Sequence, residues 1–399
     1  MNIFKKAYCR TYQTFMKLAI PLMPYREPEI VKTVNIIPKI LKDHNLNKPL
    51  LVTDKSIRGL GLTNELETSL KNAKIDYAVY DGTIPNPTIT NIEESLKTYL
   101  DNGCDSIIAF GGGSVMDCAK VTGARVVKPK QPVNKMKGLL KVRKKLPLLI
   151  AIPTTAGTGS ETTVAAVITD DKTHYKYAIN DFSLIPDYAV LDYKNTLGLP
   201  PHITSSTGMD ALTHAVEAYI GNSTTKRTRE LSEKAVRLIV KNLPKVYKDG
   251  SNATARENML VASYYAGVAF TISYVGYVHA VAHSLGGKYG VPHGFANAVI
   301  LPHFLDSYRP KIDKKLAKLA VIAGLSKETD DIKQSADTFV NWIREQNKIM
   351  NIPTYIEALK EEDIPNLAKK ANAEGNPLYP VPVLMNTHEL EEMYRKLLK

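Results

Sequence analysis

Only three cysteines, Cys9, Cys104 and Cys118, occur in the 399 residues, and none belongs to a CxxC pair. Their scarcity excludes a disulfide framework and a zinc ribbon, and fits a reducing, cytoplasmic setting. No apolar run approaches the ~20 residues of a membrane span, so neither a spanning helix nor a membrane partner is expected. Residues 1 to 30 begin basic and apolar, but Lys17, Pro21 and Pro24 interrupt them and no small-residue cleavage site follows. An amphipathic segment packed on the body is the expectation there, in place of a signal peptide. Acids are missing from Arg125 to Lys145, where nine Lys or Arg residues give the net charge of +12 a local source. Without aromatic interleaving or a nucleic-acid motif, this run reads as a solvated surface loop, and no nucleic-acid partner is expected. Internal repeats and low-complexity tracts are missing too.

What is there is an ordinary globular composition, 44% hydrophobic and 23% charged, on a chain long enough for two domains. From about residue 30 to 195, short β-rich runs alternate with helical patterns, the signature of an α/β layer with a largely parallel sheet. PLLVTD (49–54), IDYAVYDG (75–82), SIIAFGGG (106–113) and LPLLIAIPT (146–154) are the clearest strands, with helices over 64–72 and 91–102. VITDDKTHYKYAIND (167–181) reads as a small β-ribbon and YAVLD (188–192) as a further strand, before LGLPPH (197–202) breaks the pattern. From Ser205 onward helical periodicity runs to Lys399, so the boundary falls near residue 196.

Four stretches carry chemistry. FGGGSVMDCAK (110–120) sits where a strand ends and a helix begins; glycines there let backbone approach a ligand, and free N–H groups attract phosphate. Met116 stands where the last glycine of GxGxxG would be, so this is not the Rossmann fingerprint. IPTTAGTGSETT (152–163) is a second, hydroxyl-rich turn after the next strand, and two such loops at neighbouring strand ends form a crevice suited to a nucleotide. TGMDALTHAVEAYIGN (207–222) puts Asp210 and His214 on one helical face, and GYVHAVAHSLGGKYGVPHG (276–294) gathers His279, His283 and His293. Spacing alone makes His279 and His283 side-by-side candidates. One carboxylate and up to four imidazoles suit iron(II) or zinc(II) and poorly suit calcium or magnesium.

In order and spacing, GGGSxxDxAK, PTTAGTGSE, GxDALTHAxE and GxxHxxAHxxGxxYxxPHG resemble the iron-containing, or group III, alcohol dehydrogenases. The resemblance runs from about Lys32 to Lys399 and takes in YDGTIPNPTI, ANAVILPH and the EDIPNLAKKA segment; residues 1 to 25 are poorly covered. It implies an α/β dinucleotide-binding domain over 1–195 and an all-helical metal-binding and catalytic domain over 196–399. By motif position the metal ligands would be Asp210, His214, His279 and His293, with His283 the unligated active-site histidine near nicotinamide and substrate. Cofactor contacts would come from Asp54, Asn86, Gly112, Gly113, Ser114, Asp117, Thr154, Thr155, Thr158, Thr163 and Lys176. Iron(II) is the implied metal, zinc(II) the alternative, and a homodimer the candidate assembly.

The expected function is hydride transfer between a nicotinamide cofactor and a small primary alcohol or aldehyde. Asp54, closing LLVTD, would accept hydrogen bonds from an adenosine ribose and repel a 2′-phosphate, which favours NAD over NADP. A rival of another class is a metal- and NAD-dependent lyase of the dehydroquinate synthase type. That chemistry needs several basic residues around a polyanion, whereas Phe270, Ile272 and Tyr274 suggest an apolar wall. A non-catalytic nucleotide-binding module gives no reason for the four ligand types together with His283. Ile272 and Tyr274 also stand where many relatives carry Asn and Gly, and Ala165 is small where some diol-specific relatives carry a larger polar residue, so no single relative's substrate transfers.

Overall fold

The computed structural model describes residues 1–173 and 175–399; His174, inside the expected β-ribbon, lies outside the described residues. The chain forms two compact units, Pro24–Thr155 with Gly159–Gly198, and Met1–Met23 with Ala156–Thr158 and Leu199–Lys399.

The first unit holds all the described strands: β1 (Glu29–Val31), β2 (Pro49–Val52), β3 (Ala78–Tyr80), β4 (Ser106–Gly111), β5 (Gly138–Leu139), β6 (Leu148–Pro153), β7 (Ala165–Thr169), β8 (Lys176–Asn180) and β9 (Tyr188–Val190). Six of them form a parallel sheet in the order β1-β9-β6-β4-β2-β3. Both faces are covered, which is why β2 and β4 read as unbroken apolar runs and are buried at every residue. Alternation still sorts their side chains. Leu50, Val52, Ile107, Ala109, Leu149 and Ala151 enter one core, and Leu51, Ile108, Phe110, Ile150 and Ile152 the other.

Strand order reverses between β2 and β4, because the chain runs outward from β2 to β3 and then returns to the far side of β2. Open α/β sheets bind ligands beyond the carboxyl ends of strands at such a switch point. Here those ends are Thr53-Asp54 and Gly112-Gly113, tied together by the Thr53 hydroxyl donating to the Phe110 carbonyl at 2.8 Å.

The helix expected over 64–72 is present as Asn64–Asn72, and that over 91–102 as Ile89–Asp101, opened by a Thr88–Asn91 capping box. The ribbon is antiparallel β7–β8, extended by β5. The acid-free run departs from a plain solvated loop. From Lys130 on its cations face outward, while Arg125 is largely buried against Glu93; Val133, Met136 and Val142 within the run and Leu146 just after it are buried, and Gly138–Leu139 pairs with β8.

The second unit is helical, with no strand among the described residues. It includes residues 1–23, which the sequence reading assigned to the first domain. The helix Ile3–Ala19 is held there by Arg10, whose guanidinium donates to the carbonyls of Val381 (2.7 Å) and Pro382 (2.9 Å). Gln13 donates to the Tyr379 carbonyl at 2.7 Å. No single helix among the described residues is long and apolar enough to cross a membrane.

Candidate metal centre and nucleotide-binding loops

The second unit's centre is built on the helix Pro201–Ile220. Spacings of four and three put Asp210, His214 and Glu217 on one face of it, all buried. Against that face come His279, near the start of the helix Tyr277–Tyr289, and His293, the first residue of the helix His293–Ser307. Two glycines allow the approach. A Cβ at Gly294 would fall onto the Ser206 carbonyl oxygen, and one at Gly276 would lie 2.5 Å from Glu217 Oε1.

Asp210, His214, His279 and His293 each offer one donor atom, and these four atoms lie within 4.8 Å of one another. The rings of His214 and His279 stack at 4.5 Å, and Phe270 covers His214 at 4.1 Å. Burial, reinforced by the other histidines, holds the His279 pKa well below its usual value, and burial lowers that of His214. Both are therefore neutral imidazoles, the form that binds metal.

Asn297, one turn after His293, reports what the cluster wants. Its amide nitrogen lies 2.7 Å from Asp210 Oδ1, 3.2 Å from His279 Nε2 and 3.1 Å from His293 Nε2. Its two amide hydrogens can reach at most two of these three atoms. One carboxylate and three imidazoles gathered this closely form a nitrogen and carboxylate donor set that fits a divalent transition metal such as iron or zinc.

Glu217 lies behind the cluster. It accepts from the backbone N–H of Gly276 and of Val278, each at 2.9 Å, and meets His279 Nδ1 at 2.5 Å, which turns Nε2 of that ring toward the other donors. Burial pushes the Glu217 carboxyl up to about 7, against those N–H bonds. His283, one turn beyond His279, is outside the four-donor group. Its ring stacks on His293 at 5.1 Å, and its Nδ1 lies 2.6 Å from Glu374 Oε1.

In the first unit, Gly112 is the N-cap of the helix Gly113–Val127 and, having no side chain, supplies no cap hydrogen bond. Asn86, Ser114 and Lys176 are brought together there: the Asn86 N–H donates to Ser114 Oγ at 3.3 Å, and Lys176 Nζ to Asn86 Oδ1 at 2.7 Å. Thr155 lies beside Gly112, and Thr154 is buried, its N–H on the Gly111 carbonyl. Asp54 caps the short helix Lys55–Gly59 through the Ile57 N–H at 2.9 Å. Thr158 groups with the helical unit.

Asp117 and Thr163 have internal partners in this structure. Asp117 accepts from Ser160 Oγ and the Val167 N–H, and Thr163 Oγ1 accepts from Lys120. Lys120, part of the glycine motif but not singled out in the sequence, is fully buried and donates to oxygens of Ser160, Thr163 and Ala165. It clamps the hydroxyl-rich loop onto the helix. Burial pushes Lys120 down to about 8, against the attraction of Asp117 and Glu161, and pushes Glu161 up to about 7. Lys120, Glu217 and Asn297 lie inside quoted motifs; Glu374 carried no signal that sequence reasoning used.

Comparison with known proteins agrees with both halves. Residues 31–193 match the family model described as iron-containing alcohol dehydrogenase, and residues 204–398 its C-terminal counterpart. The chain is 37% identical to a 1,3-propanediol dehydrogenase of Citrobacter freundii, over 97% of this chain and 99% of that one. It is 35% identical to a lactaldehyde reductase of Escherichia coli, over 84% and 90%. Among solved structures, a 1,3-propanediol oxidoreductase superposes with a TM-score of 0.90 at 34% identity, covering 94% of this chain and 99% of that one. A sulfoacetaldehyde reductase from Bifidobacterium kashiwanohense, solved in complex with NAD+, superposes at 0.83 with 28% identity, covering 94% and 98%. These relatives are dehydrogenases and reductases, in line with the redox reading over the lyase one. The chain belongs to the iron-containing alcohol dehydrogenase family and is an oxidoreductase of alcohols or aldehydes.

Proposed function

We propose that the protein interconverts a small primary alcohol and its aldehyde with NAD(H), using iron(II) held by Asp210, His214, His279 and His293. The carrying observation is the convergence of Asp210 Oδ1, His279 Nε2 and His293 Nε2 on one amide nitrogen. Zinc(II) suits the same donors. Relatives named for propanediol and lactaldehyde support a short, neutral substrate. Phe270 against His214 supplies an apolar covering that keeps water from the buried donors.

When bound, the metal supplies Lewis acidity to the substrate oxygen and the nicotinamide carries the hydride. The protein's own work is alignment and proton handling. Glu217 orients His279, and the four donors bring one negative charge with neutral rings, so a dication keeps net positive charge there. His283, beside the cluster and 43% exposed, is the group we assign to the proton of the substrate hydroxyl.

In the first unit, the switch point of the sheet, the open N-terminus of the helix Gly113–Val127 and the Asn86–Ser114–Lys176 group support a dinucleotide site. A solved relative in complex with NAD+ supports that cofactor, and Asp54 supports NAD over NADP. We assign dinucleotide binding to the sheet-bearing unit, residues 24–155 and 159–198, and metal binding with catalysis to the helical unit. Three buried free thiols fit a reducing compartment such as the cytoplasm.

A reductase assay over short neutral aldehydes, with NADH and NADPH in parallel on iron- or zinc-loaded protein, tests the reading. Aldehyde-dependent oxidation of NADH is expected. A loaded protein that oxidises neither cofactor with any of these aldehydes would count against it.

A further inference from the structure

Glu374 is in the last turn of the helix Ile364–Gly375, where a carboxylate opposes the helix dipole, and no basic residue in that turn compensates it. What it gains there is a pair of donors on a single oxygen. His283 Nδ1 lies 2.6 Å from Glu374 Oε1, and the Tyr379 hydroxyl donates to the same atom at 2.7 Å. Tyr379 is anchored in turn: its N–H bonds to the Gly375 carbonyl, and its own carbonyl accepts from Gln13 of the N-terminal helix. A chain of hydrogen bonds thus runs from Gln13 through Tyr379 and Glu374 to His283.

An ionised carboxylate only accepts, so the hydrogen between Glu374 and His283 belongs to the imidazole Nδ1, and the lone pair of the neutral ring is then on Nε2. Ring orientation matters at this position because His283 is stacked on His293, at 18° between planes. A flipped ring would present a donor where an acceptor is needed.

We propose that Glu374, held by Tyr379, is a positioning residue that fixes the tautomer and ring plane of His283 for proton exchange with the substrate oxygen. This rests on the assignment of His283 to that proton. In alcohol oxidation His283 Nε2 would accept the hydroxyl proton, with the Glu374 carboxylate beside Nδ1 to balance the imidazolium, and nicotinamide, when bound, would supply the two-electron acceptor. In reduction His283 would return the same proton to the oxygen, the nicotinamide, when bound, supplying the hydride.

The test compares Glu374→Ala, Glu374→Gln and His283→Ala in zinc-loaded full-length protein. It reads metal content, NADH affinity, kcat, KM, and the His283 tautomer by 15N NMR. Glu374→Ala should lose about ten- to a hundred-fold in kcat, with metal, NADH affinity and KM near unmodified values, and its His283 should populate both tautomers. Glu374→Gln keeps a carbonyl acceptor for Nδ1–H, so it should regain much of that rate and a single tautomer. Full kcat in Glu374→Ala beside a collapsed His283→Ala would overturn the positioning role alone. Loss of metal in step with kcat would reduce Glu374 to a structural residue and overturn it too. Full kcat in His283→Ala would bring down the proton assignment itself, and the proposal with it.

Discussion

Asn297 has two amide hydrogens for three neighbours, Asp210 Oδ1, His279 Nε2 and His293 Nε2, so at least one of them is left without a hydrogen from it. Each unsatisfied buried acceptor costs about 1–3 kcal/mol, which a bound cation would remove. The sequence made the four donors legible because Asp210 and His214, and then His279 and His293, fall in spaced motifs. Spacing alone paired His279 with His283, and that pairing fails for a reason no spacing carries: Glu374, distant in sequence, claims the His283 ring. Glu217 is the neighbour most exposed to test. Glu217→Ala should leave His279 without its orienting partner and weaken metal binding by about 10–100-fold in a chelator competition. Unchanged affinity would mean that His279 is oriented by packing alone. Asp54 carries two duties, a helix cap and, by assignment, cofactor choice. Asp54→Asn keeps the capping oxygen and removes the charge, so it should raise kcat/KM with NADPH relative to NADH at little cost in stability. A preference ratio equal to that of the unmodified protein would clear Asp54 of the selector role.

Elements were legible where their periodicity was long or fully apolar. Asn64–Asn72 buries Leu66 and Leu70 at helical spacing, and β4 and β6 are unbroken apolar runs. β1 and β5 escaped notice because three and two residues carry no periodicity, and both are set by pairing with distant strands, β9 and β8. The basic run reads as a solvated loop because its nine cations outnumber the buried Val133, Met136 and Val142 among them. The loop 154–163 was recognised from glycines and hydroxyls, whereas its clamp, Lys120, looks in sequence like any surface lysine. Beside that clamp, Glu161 is buried with Oε1 lacking a partner. Its folded pKa, about 7, is above the ordinary 4.5, so the protonated carboxyl stabilises the fold at low pH, and this contribution is lost as pH rises through about 7. Glu161→Gln should flatten the decline in thermal midpoint between pH 4.5 and 7, and be the more stable of the two proteins at pH 8. Parallel pH profiles for the two proteins would show that Glu161 is not the titrating group.

For the whole molecule, a sheet-bearing unit and a helical unit were both visible as a change from alternating strands to unbroken helical patterns near residue 196. The fate of residues 1–23 was not visible. Their place with the helical unit depends on Arg10 and Gln13 meeting carbonyls of residues 377–382, partners some 370 residues away that no local pattern announces. The proposed reaction asks a nucleotide site of the first unit and a metal centre of the second, built on Asp210, His214, His279 and His293. Metal content per chain, measured beside aldehyde-dependent NADH oxidation in the unmodified protein and in His293→Ala, tests that account most directly. The unmodified chain should hold about one iron or zinc ion, and His293→Ala should lose most of both metal and turnover while its circular dichroism stays helical. A His293→Ala protein with full metal and full turnover would contradict it.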